Sequence, residues 1–203
     1  MSEGGPPLKE PLPALVVGRR LRLELWRGGP HEVAAIQALI ERSRPTLSQF
    51  LGWALTSLDA AAEAAAQVDI ERRWRERRDV GWVIVEDGAA RGMLGLHRRG
   101  GPDELEIGYW LDDAATGRGL VTEACRMAID VAFGIEAIDA VEITHDAANA
   151  RSGAVPARLG FSRVGAITSE PVALLETGIK VRWVIRRSDW VGRGAPSSIL
   201  SSG

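Results

Sequence analysis

Arg20-Leu21-Arg22-Leu23-Glu24-Leu25 alternates polar and apolar residues without a break. Such alternation predicts a strand with one buried face. From Glu32 to Arg42, Val33, Ile36, Leu39 and Ile40 fall at helical spacing. Thr46 to Trp53 reads as a second short helix that ends at Gly52. Ser57 or Asp59 can cap a longer helix through the alanine-rich stretch to about Arg77. The period then changes. Gly81 to Glu86 is a strand, Asp87-Gly88 a hairpin turn, and Arg91 to Arg98 the returning strand. Gly100 to Asp103 makes another turn, and Glu104 to Leu111 is a third strand. These three predict an antiparallel meander.

Gly119 to Phe133 carries the clearest helical pattern. Leu120, Val121, Ala124, Cys125, Ala128, Ile129, Ala132 and Phe133 form one apolar face, and Gly134 stands at a C-cap position. Ala140 to Thr144 predicts a strand, Ser152 to Leu159 a short helix, and Gly160-Phe161 the lead into another strand. Gly178 to Arg187, with Ile179, Val181, Trp183 and Ile185 alternating, closes the pattern. Helices between and beside strands imply an α/β (α+β) layer architecture. Residues 1–18, rich in Pro and Gly, read as a flexible lead-in. Residues 191–203 have the small, polar composition of a disordered tail, which leaves one domain at 19–190.

Composition narrows the chemistry. With 25 Lys+Arg against 27 Asp+Glu, the formal net charge is -2. That balance argues against a general nucleic-acid binder. One cysteine, Cys125, excludes an internal disulfide and a multi-thiolate zinc site. The three histidines show no metal-ligand spacing, so no metal is expected. No apolar run reaches the ~18–20 residues of a membrane span. The N-terminus lacks the basic start and long apolar stretch of a signal peptide, so a cytoplasmic location is the expectation.

Glycine is over-represented, at 23 residues. Two sit in Thr116-Gly117-Arg118-Gly119-Leu120-Val121, between the third strand and the clearest helix. Unpaired N–H groups at a helix start favour an anion, and glycines let a phosphate approach the backbone. No Gly-Lys-Ser/Thr phosphate loop occurs. The third glycine of a dinucleotide fingerprint is missing too, since Thr122 follows.

A second segment follows the next strand: Asn149, then Ser152, then Leu159-Gly160-Phe161. Together the two segments resemble the signatures of the GNAT superfamily of acyl-coenzyme A N-acyltransferases. The chain is similar to the branch typified by the RimJ and RimL ribosomal-protein N-terminal acetyltransferases. Thr122-Glu123-Ala124, Glu106-Ile107-Gly108-Tyr109-Trp110-Leu111, Leu51-Gly52-Trp53 and Asp189-Trp190 extend the likeness from about Arg19 to Trp190. Thr116 departs from the usual Gln or Arg, and Val121 from a small residue; both leave the backbone donors intact. Pro156 lies inside the second-signature helix, where it forfeits a backbone bond and should distort the turn.

The resemblance implies a mixed, mostly antiparallel sheet of about seven strands, flanked by helices, with a splayed strand pair. It implies acetyl transfer from acetyl-coenzyme A, as co-substrate, to a primary amine on a small molecule or a peptide. The alternative is a non-catalytic module that senses acyl-coenzyme A. Thr116, Gly117, Arg118, Gly119, Leu120 and Val121 would hold the pyrophosphate. Trp110 and Leu111 would pair with the peptide-like arm, and Asn149 would fix it. An alkyl ammonium, of pKa about 10, must lose a proton. Glu106 is the candidate base, with an ordinary strand carboxylate as the alternative. Glu123, in the first turn of a helix, reads as structural.

Ser152 is the candidate donor to the leaving thiolate, because the helix tyrosine common in the superfamily is missing. A helix N-cap is its alternative role. Trp53 and Phe50 would wall the amine pocket, or else pack the core. His145 is a weaker candidate base, and Cys125 reads as core rather than nucleophile. The sequence is compatible with a homodimer.

Overall fold

A computed structural model describes residues 7–56, 72–99, 101–190 and 198–199. Among these residues nine strands form one sheet: β1 (Leu15–Val17), β2 (Leu21–Leu25), β3 (Asp79–Glu86), β4 (Ala89–His97), β5 (Glu104–Leu111), β6 (Ala140–Asp146), β7 (Ser162–Thr168), β8 (Ile179–Arg186) and β9 (Ser198–Ile199). Their order is β7-β8-β6-β5-β4-β3-β2-β1-β9. Among the described strands only β5 and β6 run parallel. The meander forms as expected. Its hairpin turn places Asp87 at φ 51 and Gly88 at φ 75, the two left-handed residues that match strand twist in a type I′ turn.

The helices described from end to end are α1 (Pro30–Leu47), α2 (Leu120–Gly134), α3 (Ala150–Leu159) and the short α4 (Arg187–Trp190). Alternation along the strands separates two apolar layers. On one face Trp82, Ile84, Leu94, Leu105 and Ile107 pack with Leu120, Cys125, Ala128 and Ile129 of α2. On the other, Ile36 and Leu39 of α1 meet Val83, Val85, Met93 and Trp110. Ile129 is wholly buried; truncating such a residue to alanine costs about 2–5 kcal/mol. Gly134 is the last residue of α2, rather than a left-handed cap beyond it.

Two expectations change in the α1 region. The first helix is longer than 32–42. Pro30 sets the helical φ at its start, and Glu32 accepts from the N–H groups of Arg27 and Gly28. Pro45 lies within its last turn, where little helix remains to be broken. The separate helix expected from Thr46 to Gly52 does not form. Leu174 and Leu175 N–H take the carbonyls of Ser48 (3.1 Å) and Gln49 (2.8 Å). A single 3-10 turn, Gly52–Leu55, follows instead.

The segment expected to be a flexible lead-in is packed from Leu8 onward. Leu8, Leu12 and Val16 are core residues. Trp74 and Trp82 donate their indole N–H groups to the carbonyls of Leu12 (3.1 Å) and Pro13 (2.8 Å). An extended, proline-rich strip has no helical or strand period to reveal this. In the expected tail, Ser198–Ile199 pairs with β1. The rest of 191–203, residues 1–6, Gly100 and most of the alanine-rich helix lie outside the described residues; residues 72–75 are helical.

Candidate active site

β5 and β6 are paired only from Glu104–Ala140 to Glu106–Glu142. Beyond that rung they part, and β6 pairs on to Asp146 with β8 instead. The parting opens a cleft of about 2150 Å³ across the sheet. Ile107 to Leu111 line it from β5; Thr144, His145 and Asp146 line it from β6.

The glycine loop closes one side. Gly117 (φ 73) and Gly119 (φ 79) are both left-handed, a conformation costly for other residues. A Cβ on either would meet nothing within 4 Å, so the loop is an open cradle. The first bond of α2 runs from Glu123 N–H to Gly119 O at 3.0 Å. The N–H groups ahead of it have no intrahelical partner and sit at the positive end of the helix dipole. Thr116, Gly117, Gly119, Leu120 and Val121 all line the cleft. This arrangement fits a pyrophosphate.

Arg118 is the exception. It does not line the cleft; its guanidinium is 2.8–2.9 Å from the Glu86 carboxylate. Glu86 is 5% exposed and also lies within 3.5 Å of Arg20 and 3.4 Å of Arg91. Arg20 Nη1 donates to Arg118 O at 3.3 Å, and Arg20 N–H donates to Glu123. Glu123 thus ties α2 to the start of β2. Arg19, Arg20, Arg126, Arg151, Arg158 and Lys180 supply the cations at the cleft.

Opposite the loop stands α3. Asn149 is its N-cap, with Oδ1 accepting from Ser152 N–H at 3.1 Å. The capping role therefore belongs to Asn149, not Ser152. Both residues line the cleft. Tyr109 Oη lies 3.0 Å from Ser152 Oγ and 3.0 Å from Ser152 O. Burial raises the Tyr109 phenol far above its ordinary pKa, with Cys125 adding to the shift. The phenol is therefore a fixed donor.

Glu106 occupies the last paired rung before the splay. Its carboxylate does not line the main cleft. It faces an adjoining pocket of about 140 Å³ with Arg99, Glu104, Glu142 and Arg182, and lies 3.8 Å from Arg99. Thr144 joins the two spaces: it lines the cleft and donates to Glu142 at 2.8 Å.

Trp110 and Phe50 are cleft-lining, with Leu51 and Leu175 beside them. Trp53 does not line the cleft; its ring stands 6.0 Å from that of Trp110. Asp146, which sequence reasoning passed over, is buried. Burial would raise its pKa, but the N–H groups of Ala148 and Thr177 and the Thr177 hydroxyl hold it below the ordinary range. It fastens the β7–β8 connection to β6. Cys125 is wholly buried, and burial pushes its thiol far up. No helix among the described residues is long and apolar enough to cross a membrane.

A mixed sheet split between two parallel strands, with a left-handed glycine loop at the split, defines an acyltransferase-type fold and cofactor cleft. Residues 20–162 match the acetyltransferase (GNAT) domain family. The chain is 30% identical over 139 residues to the "Putative ribosomal N-acetyltransferase YdaF" of Bacillus subtilis (strain 168), covering 67% of this chain and 75% of that protein. The fold is similar to Mycobacterium smegmatis RimJ, solved with a coenzyme A disulfide (TM-score 0.78, 22% identity, 88% of this chain and 90% of that one). It is also similar to RimL, a ribosomal L7/L12 α-N-protein acetyltransferase solved with coenzyme A (TM-score 0.75, 17% identity, 87% and 98%). The chain belongs to the GNAT acetyltransferase family and is an N-acetyltransferase.

Proposed function

We propose that this enzyme transfers the acetyl group of acetyl-coenzyme A to the α-amine of a peptide or protein N-terminus, in a ternary complex. The observation that carries this is the parting of β5 from β6 beside the open Gly117–Gly119 cradle. Relatives named as ribosomal N-acetyltransferases support the acceptor class.

The N–H groups around Gly117 to Val121 donate to the pyrophosphate. Past Glu106 the β6-facing edge of β5 has no strand partner. Its backbone groups through Trp110 and Leu111 pair with the amide groups of the donor's arm. Asn149 holds that arm with its amide nitrogen, because its oxygen is engaged by Ser152 N–H.

The donor supplies a thioester carbonyl. The amine nitrogen attacks it, the C–N bond forms, the C–S bond breaks, and the electron pair goes to sulfur. Ser152 Oγ–H donates a hydrogen bond to that sulfur. A thiol of pKa about 8.5 needs no stronger acid. The proton shed by the amine passes through water to Glu106, one rung from the splay. Phe50, Leu51, Trp110 and Leu175 form an apolar wall that limits water, with Trp53 backing Trp110. The hydroxyl pair of Ser152 and Tyr109 supports catalysis over the non-catalytic alternative.

The test combines two readouts. Acetyl-coenzyme A should raise Tm, and free thiol should appear faster with N-terminal peptides than with small amines. No rise in Tm overturns the cofactor assignment. Thiol release with small amines alone overturns the acceptor class and leaves acetyl transfer standing. Glu106→Gln should remove the acidic limb of the pH–rate profile, and an unchanged profile overturns its role as base.

A further inference from the structure

Pro156 sits in the seventh position of α3, and its missing N–H is the one that would bond Ser152 O, four residues earlier. A proline ring also crowds that carbonyl. An orphaned carbonyl in a part-buried site costs free energy unless it finds another donor. Here it has one: Tyr109 Oη stands 3.0 Å from Ser152 O.

Tyr109 reaches Ser152 from β5, across the cleft floor, 43 residues away in sequence. It is the only tyrosine in the chain. Ser152 N–H is meanwhile held by Asn149 Oδ1. Both backbone polar groups of Ser152 are thus tied to side chains rather than to the ordinary helical ladder. With the phenol proton on the carbonyl, Tyr109 Oη can only accept from Ser152 Oγ–H, 3.0 Å away. The serine proton then rests on the phenol oxygen and is free to turn toward a better acceptor.

We propose that Tyr109 is a positioning residue for Ser152: its hydroxyl replaces the helical hydrogen bond that Pro156 removes, and so aims Ser152 Oγ into the cleft. This rests on the reading of Ser152 as the donor to the leaving sulfur. Tyr109 and Pro156 form one device. A tyrosine on the strand does for the serine what a backbone N–H would do in an unbroken helix.

The pairing predicts a rescue. Tyr109→Phe keeps the ring and its packing but leaves Ser152 O without a donor. Its kcat should fall about tenfold, with KM for acetyl-coenzyme A within about twofold. Amide hydrogen exchange at Ser152 and Gly153 should quicken. Pro156→Ala restores an N–H beneath Ser152 O. The double variant Tyr109→Phe/Pro156→Ala should recover kcat to within about threefold of Pro156→Ala alone, and the exchange rates should slow again.

An unchanged kcat and unchanged exchange in Tyr109→Phe overturn the proposal. A fall in kcat that Pro156→Ala does not rescue also overturns it, making Tyr109 itself the donor to sulfur. Circular dichroism melting of each variant checks that the fold persists. If the wild-type enzyme acetylates no amine, the function proposed above fails, whereas the exchange arm still decides whether Tyr109 holds Ser152.

Discussion

Trp183 Nε1–H donates to His145 Nε2 at 3.0 Å, while His145 Nδ1 lies 2.7 Å from the carbonyl oxygen of Asp146. The carbonyl only accepts, so the ring proton sits on Nδ1. The Nε2 lone pair is already occupied. Gly153 of α3 lies against the same ring, where a Cβ would come within 2.7 Å of it. His145 is a strut between β6, β8 and α3, with both ring nitrogens engaged. His145→Gln should lower Tm and leave both limbs of the pH–rate profile in place. Loss of a limb would show that the imidazole moves a proton.

Gly119 and Arg118 are neighbours with different duties. Gly119→Ala and Gly119→Val force a side chain into the left-handed region, which costs about 1–2 kcal/mol of stability. The added carbons also fill the anion cradle. Their Kd for acetyl-coenzyme A, measured by calorimetry, should rise tenfold or more, with valine worse than alanine.

Arg118→Ala should behave otherwise. Its guanidinium is spent on Glu86 rather than on the cleft. Acetyl-coenzyme A affinity should change by less than about threefold. A loss like that of Gly119→Val would mean that Arg118 swings onto the phosphates.

Asp79 gives the fold a pH dependence. Its side chain is 8% exposed. Burial alone would raise its pKa. His97, at 3.4 Å, with the Arg98 N–H and the Arg73 guanidinium, instead depresses it well below the ordinary range. The folded pKa lies below the unfolded value of about 3.9. Its stabilisation is therefore complete above about pH 4 and is lost as pH falls toward the folded pKa. Asp79→Asn should cost about 2 kcal/mol at pH 7, a drop in Tm of roughly 4–8 °C. The gap from wild type should shrink below about pH 4; a gap independent of pH would assign the effect to packing.

Cys125 should be silent. Its thiol is enclosed by the apolar face of α2 and held protonated by burial. Alkylating reagents should leave the folded enzyme active, and Cys125→Ala should turn over normally. Inactivation by a thiol reagent, relieved by that substitution, would contradict this.

The elements that could be read along the chain are those whose cause is local. The β3–β4 hairpin follows from Asp87-Gly88, and α2 from a continuous apolar face after Gly119. The open glycine loop needs only two glycines at a helix start. Leu8 and Leu12 were missed because an extended strip advertises burial only through what it covers. The separate helix expected from Thr46 is absent, and the carbonyls of Ser48 and Gln49 are taken by a loop more than 120 residues away.

The site divides in the same way. Gly117 and Gly119 stand out by their place at a helix start, and Asn149 and Ser152 through the resemblance; all four line the cleft. Direction was not legible. Arg118 turns to Glu86, Glu106 faces Arg99, and Trp53 stands behind Trp110; each choice depends on which face of a strand or loop meets a distant partner. The role of Tyr109 is the sharpest case. Pro156 shows in the sequence that one carbonyl must lose its bond, but only the tertiary structure brings a phenol 3.0 Å from that oxygen. Local sequence specifies which backbone groups are left unpaired, and long-range packing decides which side chain answers them.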